Sequence, residues 1–297
     1  MILKASIIIP TYHRKDSLLR LLNSISSQHE RDIEVIVVEQ GDRNEIEFRK
    51  FAYSKGLSLK YLFSKTLNTA RAKNKGAINA RGKYLIYFDD DVILHENVIG
   101  NLLADFKDPK IGCVAGRAIT RSQPTDAGNK NVGRISPWST FSDGFSSDIR
   151  QYVDTPVGCN MAFPKKLFFV AKGFDERFTG AIREESDLAL RIKQLGYRVV
   201  FEPKATVTHL QEPTGGGRKT EGRLNWYYHF LSNETYFFLK HCEKVYFLFF
   251  IMTRMHWIFR CMFGFGREVS FRSIVTPFLG IKDGFHKYKE LINENRG

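Results

Sequence analysis

Lys83-Tyr84-Leu85-Ile86-Tyr87-Phe88-Asp89-Asp90-Asp91-Val92 is an apolar and aromatic run that ends abruptly in three carboxylates. A short apolar run of this kind reads as a buried strand. Three adjacent acids at its end repel one another and lose part of their hydration, and a bound cation relieves both costs. The plainer alternative is a solvated acidic turn, or a cap on a helix that begins near Glu96.

The residues before this run build the same pattern repeatedly. Ala5 to Ile9 reads as a strand, followed by the loop Pro10-Thr11-Tyr12-His13-Arg14 and a helix capped by Asp16 or Ser17, with Leu18, Leu21, Leu22 and Ile25 on one face. Ile33 to Val38 is a second strand, ending in Glu39-Gln40-Gly41-Asp42, and a charged helix follows from Arg43 to Lys55. Leu57 to Phe63 is a third strand. The small residues of Leu67 to Ala77 let a helix pack closely, while Arg71 and Asn74 share a face, either solvated or functional. Strand and helix alternate up to Phe88, so the expectation is an α/β fold with a mostly parallel sheet, binding its ligands at the carboxyl ends of the strands. Thr11, Tyr12, Glu39 and Asp89 to Asp91 fall at those ends. Neither GxGxxG nor GxxxxGK[ST] follows a strand, so a bound nucleotide needs a metal and basic side chains for its diphosphate.

Beyond the acidic run, a helix is expected over 97–106 and a strand over 111–119. The segment 120–153 is rich in Gly, Ser, Asn, Asp and Pro, and a loop that long in a compact domain is commonly functional. Strand character returns over 156–163, and Gly173-Phe174-Asp175-Glu176 marks a turn. Glu184-Glu185-Ser186-Asp187-Leu188 then opens an amphipathic helix closed by Gly196. Acids in a first turn complement the helix dipole; the functional alternative is an ionised carboxylate aimed into the crevice as a general base. Short strands are expected over 197–201 and 205–209. His209 is either structural or the last member of a metal site before the basic, glycine-rich Thr214 to Lys219.

At 297 residues, 43% of them apolar and 26% charged, the chain is globular rather than disordered or polytopic. A formal charge of +13 favours anionic partners: nucleotides, nucleic acid or an acidic membrane surface. No nucleic-acid module accompanies the charge. Cys113, Cys159, Cys242 and Cys261 show neither zinc-site nor disulfide spacing, and the apolar run Ile7-Ile8-Ile9 is too short for a signal-peptide core. A cytoplasmic start fits both. The aromatic stretches 224–242 and 245–265 raise the question of a membrane span. Their uninterrupted apolar run stops at Thr253, short of the ~20 residues a span needs, and Arg254, His256 and Arg260 follow. An interfacial helix with Lys240, Lys244, Arg254, Arg260, Arg267 and Arg272 toward anionic headgroups fits the composition, with packing on the main domain or in a homo-oligomer as the alternative.

Taken in order, these motifs resemble the family 2 glycosyltransferases, inverting enzymes of the GT-A fold that use nucleotide-sugar donors. The resemblance runs from Ser6 to about Lys240. Ile7 to Arg14 is similar to the family's first strand and nucleoside loop, which implies that Pro10, Thr11, Tyr12 and Arg14 bind the nucleotide. Glu39 stands where the family has an Asp that accepts a hydrogen bond from the base. Asn68, Arg71, Asn74 and Gly76 match an Asn/Arg-rich helix whose polar residues approach the nucleotide. Asp89-Asp90-Asp91 corresponds to the DxD motif, with Asp91 a ligand of Mn²⁺ or Mg²⁺, Asp89 toward the ribose or metal, and Asp90 on the nucleotide side. Gly158, Asn160 and Phe163 match the acceptor-side strand, and Glu184-Glu185-Ser186-Asp187-Leu188 the Glu-Asp-x-Asp-Leu of the acceptor helix. Glu184 and Asn160 then belong to the sugar or acceptor site, Glu185 is the catalytic base and Asp187 the alternative base. His209 joins the metal, and Arg218 the diphosphate.

The resemblance implies a GT-A domain over 1–220, with a nucleotide-binding part at 1–95 and an acceptor part at 96–220, and a helical region over 221–297. It implies transfer, with inversion, from a nucleotide sugar, a UDP-sugar in the first instance, to a hydroxyl of a glycan or lipid-linked saccharide. The aromatic and basic C-terminal composition, with the cytoplasmic start, gives the expected location as peripheral on the cytoplasmic face of the membrane. A non-catalytic nucleotide-sugar-binding or scaffold protein of the same fold is the alternative. A sugar nucleotidyltransferase would carry a glycine-rich basic loop where this chain has Pro10-Thr11-Tyr12.

Overall fold

The computed structural model describes residues 3–120, 126–216, 222–264 and 269–295. Four strands, β1 (Ala5–Thr11), β2 (Ile33–Glu39), β3 (Leu59–Phe63) and β4 (Tyr84–Phe88), lie parallel in the order β3-β2-β1-β4. Helices α1 (Lys15–Ser26), α2 (Glu45–Ser54) and α3 (Thr69–Ile78) connect them. The two apolar faces of β1 explain why it is buried throughout. Ile7 and Ile9 meet Leu18, Leu21, Leu22 and Ile25 of α1, whereas Ile8 meets the small residues of α3 on the opposite face. A Cβ at Gly76 would stand 2.4 Å from Ile8 Cγ2, so glycine sets how closely α3 approaches the sheet.

The second half extends the same sheet rather than building another. After β5 (Val92–Leu94) come α4 (Val98–Ala104), β6 (Ile111–Thr120), β7 (Gln151–Val153), β8 (Asn160–Pro164), α5 (Lys165–Val170), α6 (Glu184–Gln194) and β9 (Arg198–His209). The order continues β4-β8-β6-β9-β5, with β7 on β9, giving nine strands. Strand β8 runs antiparallel to both neighbours and sets Asn160 opposite Phe88. The expected strands over 197–201 and 205–209 form one strand, β9, whose register against β6 shifts between Gly116 and Arg117. Pro203 lies in that irregular part, where it leaves no ladder hydrogen bond missing. The helix expected from near Glu96 begins at Val98 behind Asn97, which takes the left-handed conformation.

Among the described residues three further helices follow: α7 (Gly222–His241), α8 (Phe247–Phe263) and α9 (Phe271–Glu294). The stretch Phe230 to Leu239 is buried residue after residue, because α7 is enclosed by the other helices and by the main domain. Gly280 and Gly284 admit α9 closely, since a Cβ there would approach Tyr228 O at 2.7 Å and Ser232 O at 2.5 Å. Phe178 packs with Tyr236 and Phe237, which fixes α7 against the segment leading into α6. Among the described residues no helix is long and apolar enough to cross a membrane. Two of the basic residues expected to face headgroups are instead committed inward. Lys240 bridges Asp175 and Asp187, and Arg254 is buried against Glu234, because each neutralises a carboxylate that burial has stripped of water. Arg267 lies outside the described residues.

Candidate active site

A crevice of about 420 Å³ opens at the carboxyl ends of β1 and β4. Pro10, Thr11, Tyr12 and Arg14 form one wall, Asp89 to Asp91 the floor, and Gly180, Ala181, His209 and Gln211 the far side. His209 reaches the acids through strand pairing: Val92 of β5 lies opposite His209 at the end of β9. One ligand atom each from Asp89, Asp91 and His209 falls within 4.8 Å of the others. Two carboxylate oxygens and an imidazole nitrogen are donors that suit Mn²⁺ or Mg²⁺, so the residues fit the implied ion.

The three acids are unequal. Asp91 accepts from His209 Nε2 at 3.1 Å and from the backbone N–H of Glu212 at 3.2 Å, and lies 2.9 Å from Arg14 Nη1. Burial opposes its charge, but His209 and Arg14 outweigh it and hold the carboxyl below the ordinary range. Asp90 is almost fully buried and accepts from Thr11 Oγ1 at 2.7 Å and Arg14 Nη1 at 3.0 Å. Burial pushes it up to about 7 despite these donors. Asp90 thus ties the loop after β1 to the end of β4, and Asp89 is the more open acid of the crevice.

Glu185 stands in the first turn of α6, four residues after Ala181 of the crevice wall, with its carboxylate carbon 3.6 Å from where a Cβ on Gly158 would lie. Burial, then the adjacent charge of Glu184, raises its carboxyl to about 7. Lys73 of α3 lies beneath, fully buried, donating to Glu184 Oε1 at 3.0 Å and close enough to feel the charges of both Asp89 and Glu185. Lys73 escapes sequence reading because only tertiary packing reveals which lysine of a basic helix turns inward.

Glu185 is not itself among the residues that line the crevice, and several others named from sequence are not brought to it either. Glu39 is buried and accepts from Asn44 N, Asn44 Nδ2 and Tyr61 OH, and Gln40 lines the crevice in its place. Arg71 and Asn74 hold the 173–176 turn: Arg71 Nε donates to Glu176 at 2.8 Å, and Asn74 Nδ2 donates to Phe174 O at 2.8 Å. From the same helix region the N-cap Asn68 reaches the crevice. Asn160 is wholly buried and donates to Arg117 O and Ala205 O across the shifted register of β6 and β9. Glu184 is occupied by Lys73. Asp187 is enclosed by Arg191, Lys240 and His241. Burial opposes its charge, but these three partners, Arg191 first, hold its carboxyl far below the ordinary value. Arg218 lies outside the described residues. Asn68, matched from sequence to the helix whose polar residues approach a nucleotide, does line the crevice, whereas Gln40, Gly180, Ala181 and Gln211 are crevice residues that no motif reading singled out as ligand-binding, although Gln40 stood inside a quoted motif.

The chain is similar to known proteins over most of its length. It is 27% identical over 221 residues to the validoxylamine A glucosyltransferase of Streptomyces hygroscopicus subsp. jinggangensis, covering 64% of this chain and 51% of that protein. It is 25% identical over 214 residues to the O-antigen chain rhamnosyltransferase RfbN of Salmonella typhimurium, covering 70% and 66%. The chain thus spans about half of the first of these and two thirds of the second. In fold it resembles the mannosyltransferase PcManGT of Pyrobaculum calidifontis, solved with GDP-Man and Mn²⁺, at a TM-score of 0.61 and 17% identity, covering 99% of this chain and 79% of that one. It also resembles GalNAc-T7, solved with UDP, GalNAc and Mn²⁺, at a TM-score of 0.65 and 16% identity, covering 86% and 51%. The profile described as Glycosyl transferase family 2 matches residues 6–168, more than half of the chain. With a GT-A-like sheet and this acidic crevice at its strand ends, the chain belongs to glycosyl transferase family 2.

Proposed function

We propose that the chain transfers a sugar, with inversion, from a nucleotide-sugar donor to a hydroxyl of a glycan or lipid-linked saccharide. The observation that carries this reading is the convergence of Asp89, Asp91 and His209 on one point in the crevice, with Glu185, whose carboxyl is raised, at the start of α6 four residues after the crevice residue Ala181 and sharing the field of Lys73 with Asp89. The structural relatives solved with nucleotide, sugar or Mn²⁺ support it.

Pro10, Thr11 and Tyr12 border the nucleoside side of the crevice, and Gln40 and Asn68 offer amide groups there. Asp89, Asp91 and His209 would hold Mn²⁺ or Mg²⁺, which supplies Lewis-acid neutralisation of the diphosphate. Arg14 adds a fixed positive charge beside Asp90 and Asp91. Glu185 accepts the proton of the acceptor hydroxyl as its oxygen bonds to the anomeric carbon, while the bond from that carbon to the diphosphate oxygen breaks and the nucleoside diphosphate leaves. A carboxyl near 7 is a stronger base than an ordinary glutamate and is about half ionised at neutral pH. Asp187 is unsuited to the role, since its strong counter-charges make it a poor proton acceptor.

The test is a panel of nucleotide sugars incubated with the full chain, Mn²⁺ and a panel of glycan and lipid-linked saccharide acceptors, read as acceptor-dependent release of nucleoside diphosphate. Release from one donor that stops in Glu185→Gln, with donor still bound, supports the reading. Donor binding without release, or undiminished release by Glu185→Gln, overturns it; the first outcome makes the chain a nucleotide-sugar-binding protein.

A further inference from the structure

Helix α8 carries its apolar side chains outward. Its buried positions are Phe250, Arg254, Ile258 and Cys261, whereas Leu248, Phe249, Met252, Phe259 and Phe263 are each more than half exposed. Surface helices of water-soluble domains show the reverse arrangement. Helix α9 packs beside it, with Phe247 and Phe285 rings 6.1 Å apart, and exposes Phe271, Phe278 and Leu279. The outward placement is held by charge on the inner side. Arg254 pairs with Glu234 of α7, and Glu234 also accepts from Arg183, the residue before α6. Rotating α8 to hide its aromatics would break that buried pair.

The charge around the face decides its partner. Between Lys244 and Lys282 the sequence carries Lys244, Arg254, Arg260, Arg267, Arg272 and Lys282 against one acid, Glu268. With Arg254 committed to Glu234, Lys244, Arg260, Arg272 and Lys282 remain exposed. Two copies of so cationic a surface would repel each other, while anionic headgroups complement it. Helices of this length, interrupted by cations, lie in a membrane interface rather than across it.

We infer that the outward face of α8 and α9 is a docking surface for an anionic lipid bilayer, with the apolar side chains below the headgroups and the exposed cations among them. Trp138, from the long loop of the acceptor half, touches Phe249 at 6.1 Å between ring centroids. The docked face is therefore continuous with the acceptor side, where a lipid-linked saccharide would enter.

The experiment is co-sedimentation of the full chain with vesicles of phosphatidylcholine, with and without phosphatidylglycerol, and it needs no turnover, so it stands apart from the transfer reaction. The expected result is binding to the anionic vesicles, weakened by salt and by about tenfold or more in Met252→Glu/Phe259→Glu. Arg260→Glu/Arg272→Glu should lose the preference for phosphatidylglycerol while keeping the melting temperature. Failure of the parent chain to sediment, or equal sedimentation of Met252→Glu/Phe259→Glu, overturns the inference. So does a lipid-free dimer that this double variant splits into monomers, which would assign the face to a second copy.

Discussion

Lys73 Nζ and Glu184 Oε1 lie 3.0 Å apart, and each side chain is only 2% exposed. The pair joins α3 to the first turn of α6, next to the proposed base. A buried pair is worth little against an apolar replacement, but breaking it leaves a charge without water or partner. Lys73→Met should therefore lower unfolding stability by about 3–5 kcal/mol, read as a lower urea midpoint. Lys73→Met/Glu184→Met should recover a substantial part. Equal loss in the single and double variants would show that the pair is not coupled.

Glu185→Gln should reduce turnover by about 10²–10⁴-fold while leaving donor affinity within a small factor, since the amide keeps the shape and loses the base. Steady-state kinetics and calorimetric donor binding separate the two.

The pH profile follows from the direction of the shift. The Glu185 carboxyl sits at about 7, above its ordinary 4.5, and the base form is the carboxylate, so activity should rise with pH through about 7. Its effect on stability has the opposite slope: the contribution is fully present below the ordinary value and is lost as pH rises through about 7. Glu185→Gln should remove that slope from the pH dependence of the melting temperature. A rate that is flat between pH 6 and 8 would count against Glu185 as base.

Asp91→Asn and His209→Ala each remove one donor from the trio with Asp89. Both should weaken Mn²⁺ binding, measured by calorimetry or by the paramagnetic relaxation of water protons. Chelation should lower transfer by the parent chain, and added Mn²⁺ should restore it. Unchanged Mn²⁺ affinity in both variants would place the ion elsewhere.

Asp187→Asn should be a stability variant. The carboxylate is fully buried between Arg191, Lys240 and His241, and its removal leaves Arg191 and Lys240 under-compensated, at a cost of roughly 3–5 kcal/mol. Because its folded value lies below the ordinary one, its contribution is present above the ordinary carboxylate range and is lost as pH falls. Chemical unfolding at neutral and acidic pH should show the parent and variant converging at low pH.

Local pattern was enough for the first ninety residues. The apolar strands at Ile7 and Val35 and the amphipathic repeat of Leu18, Leu21, Leu22 and Ile25 depend only on periodicity, which chain geometry imposes within a few residues. The acidic run after Phe88 was equally legible, as an uncompensated charge at the end of a buried strand. The directions of the polar side chains were not. Glu39 and Asn160 have the residue types of site groups, yet their environments satisfy them internally, against Asn44 and Tyr61 in one case and across a shifted strand register in the other. Arg71 and Lys73 are two residues apart on one basic helix. One grips Glu176 at the surface and the other is buried under Glu184, a difference set by what packs around α3.

The sequence alone determined the alternation that makes the α/β sheet and the acidic run at its heart, because both are short-range properties of hydrophobic periodicity and charge. Only the tertiary structure decided the partners that surround Asp90 and Asp91 while Asp89 stays more open, and which of Glu184, Glu185 and Asp187 is left without a strong cation of its own. It also decided that α8 faces outward with its aromatics. Those outcomes depend on counter-charges and packing partners supplied from a hundred residues away, and no window of sequence contains them.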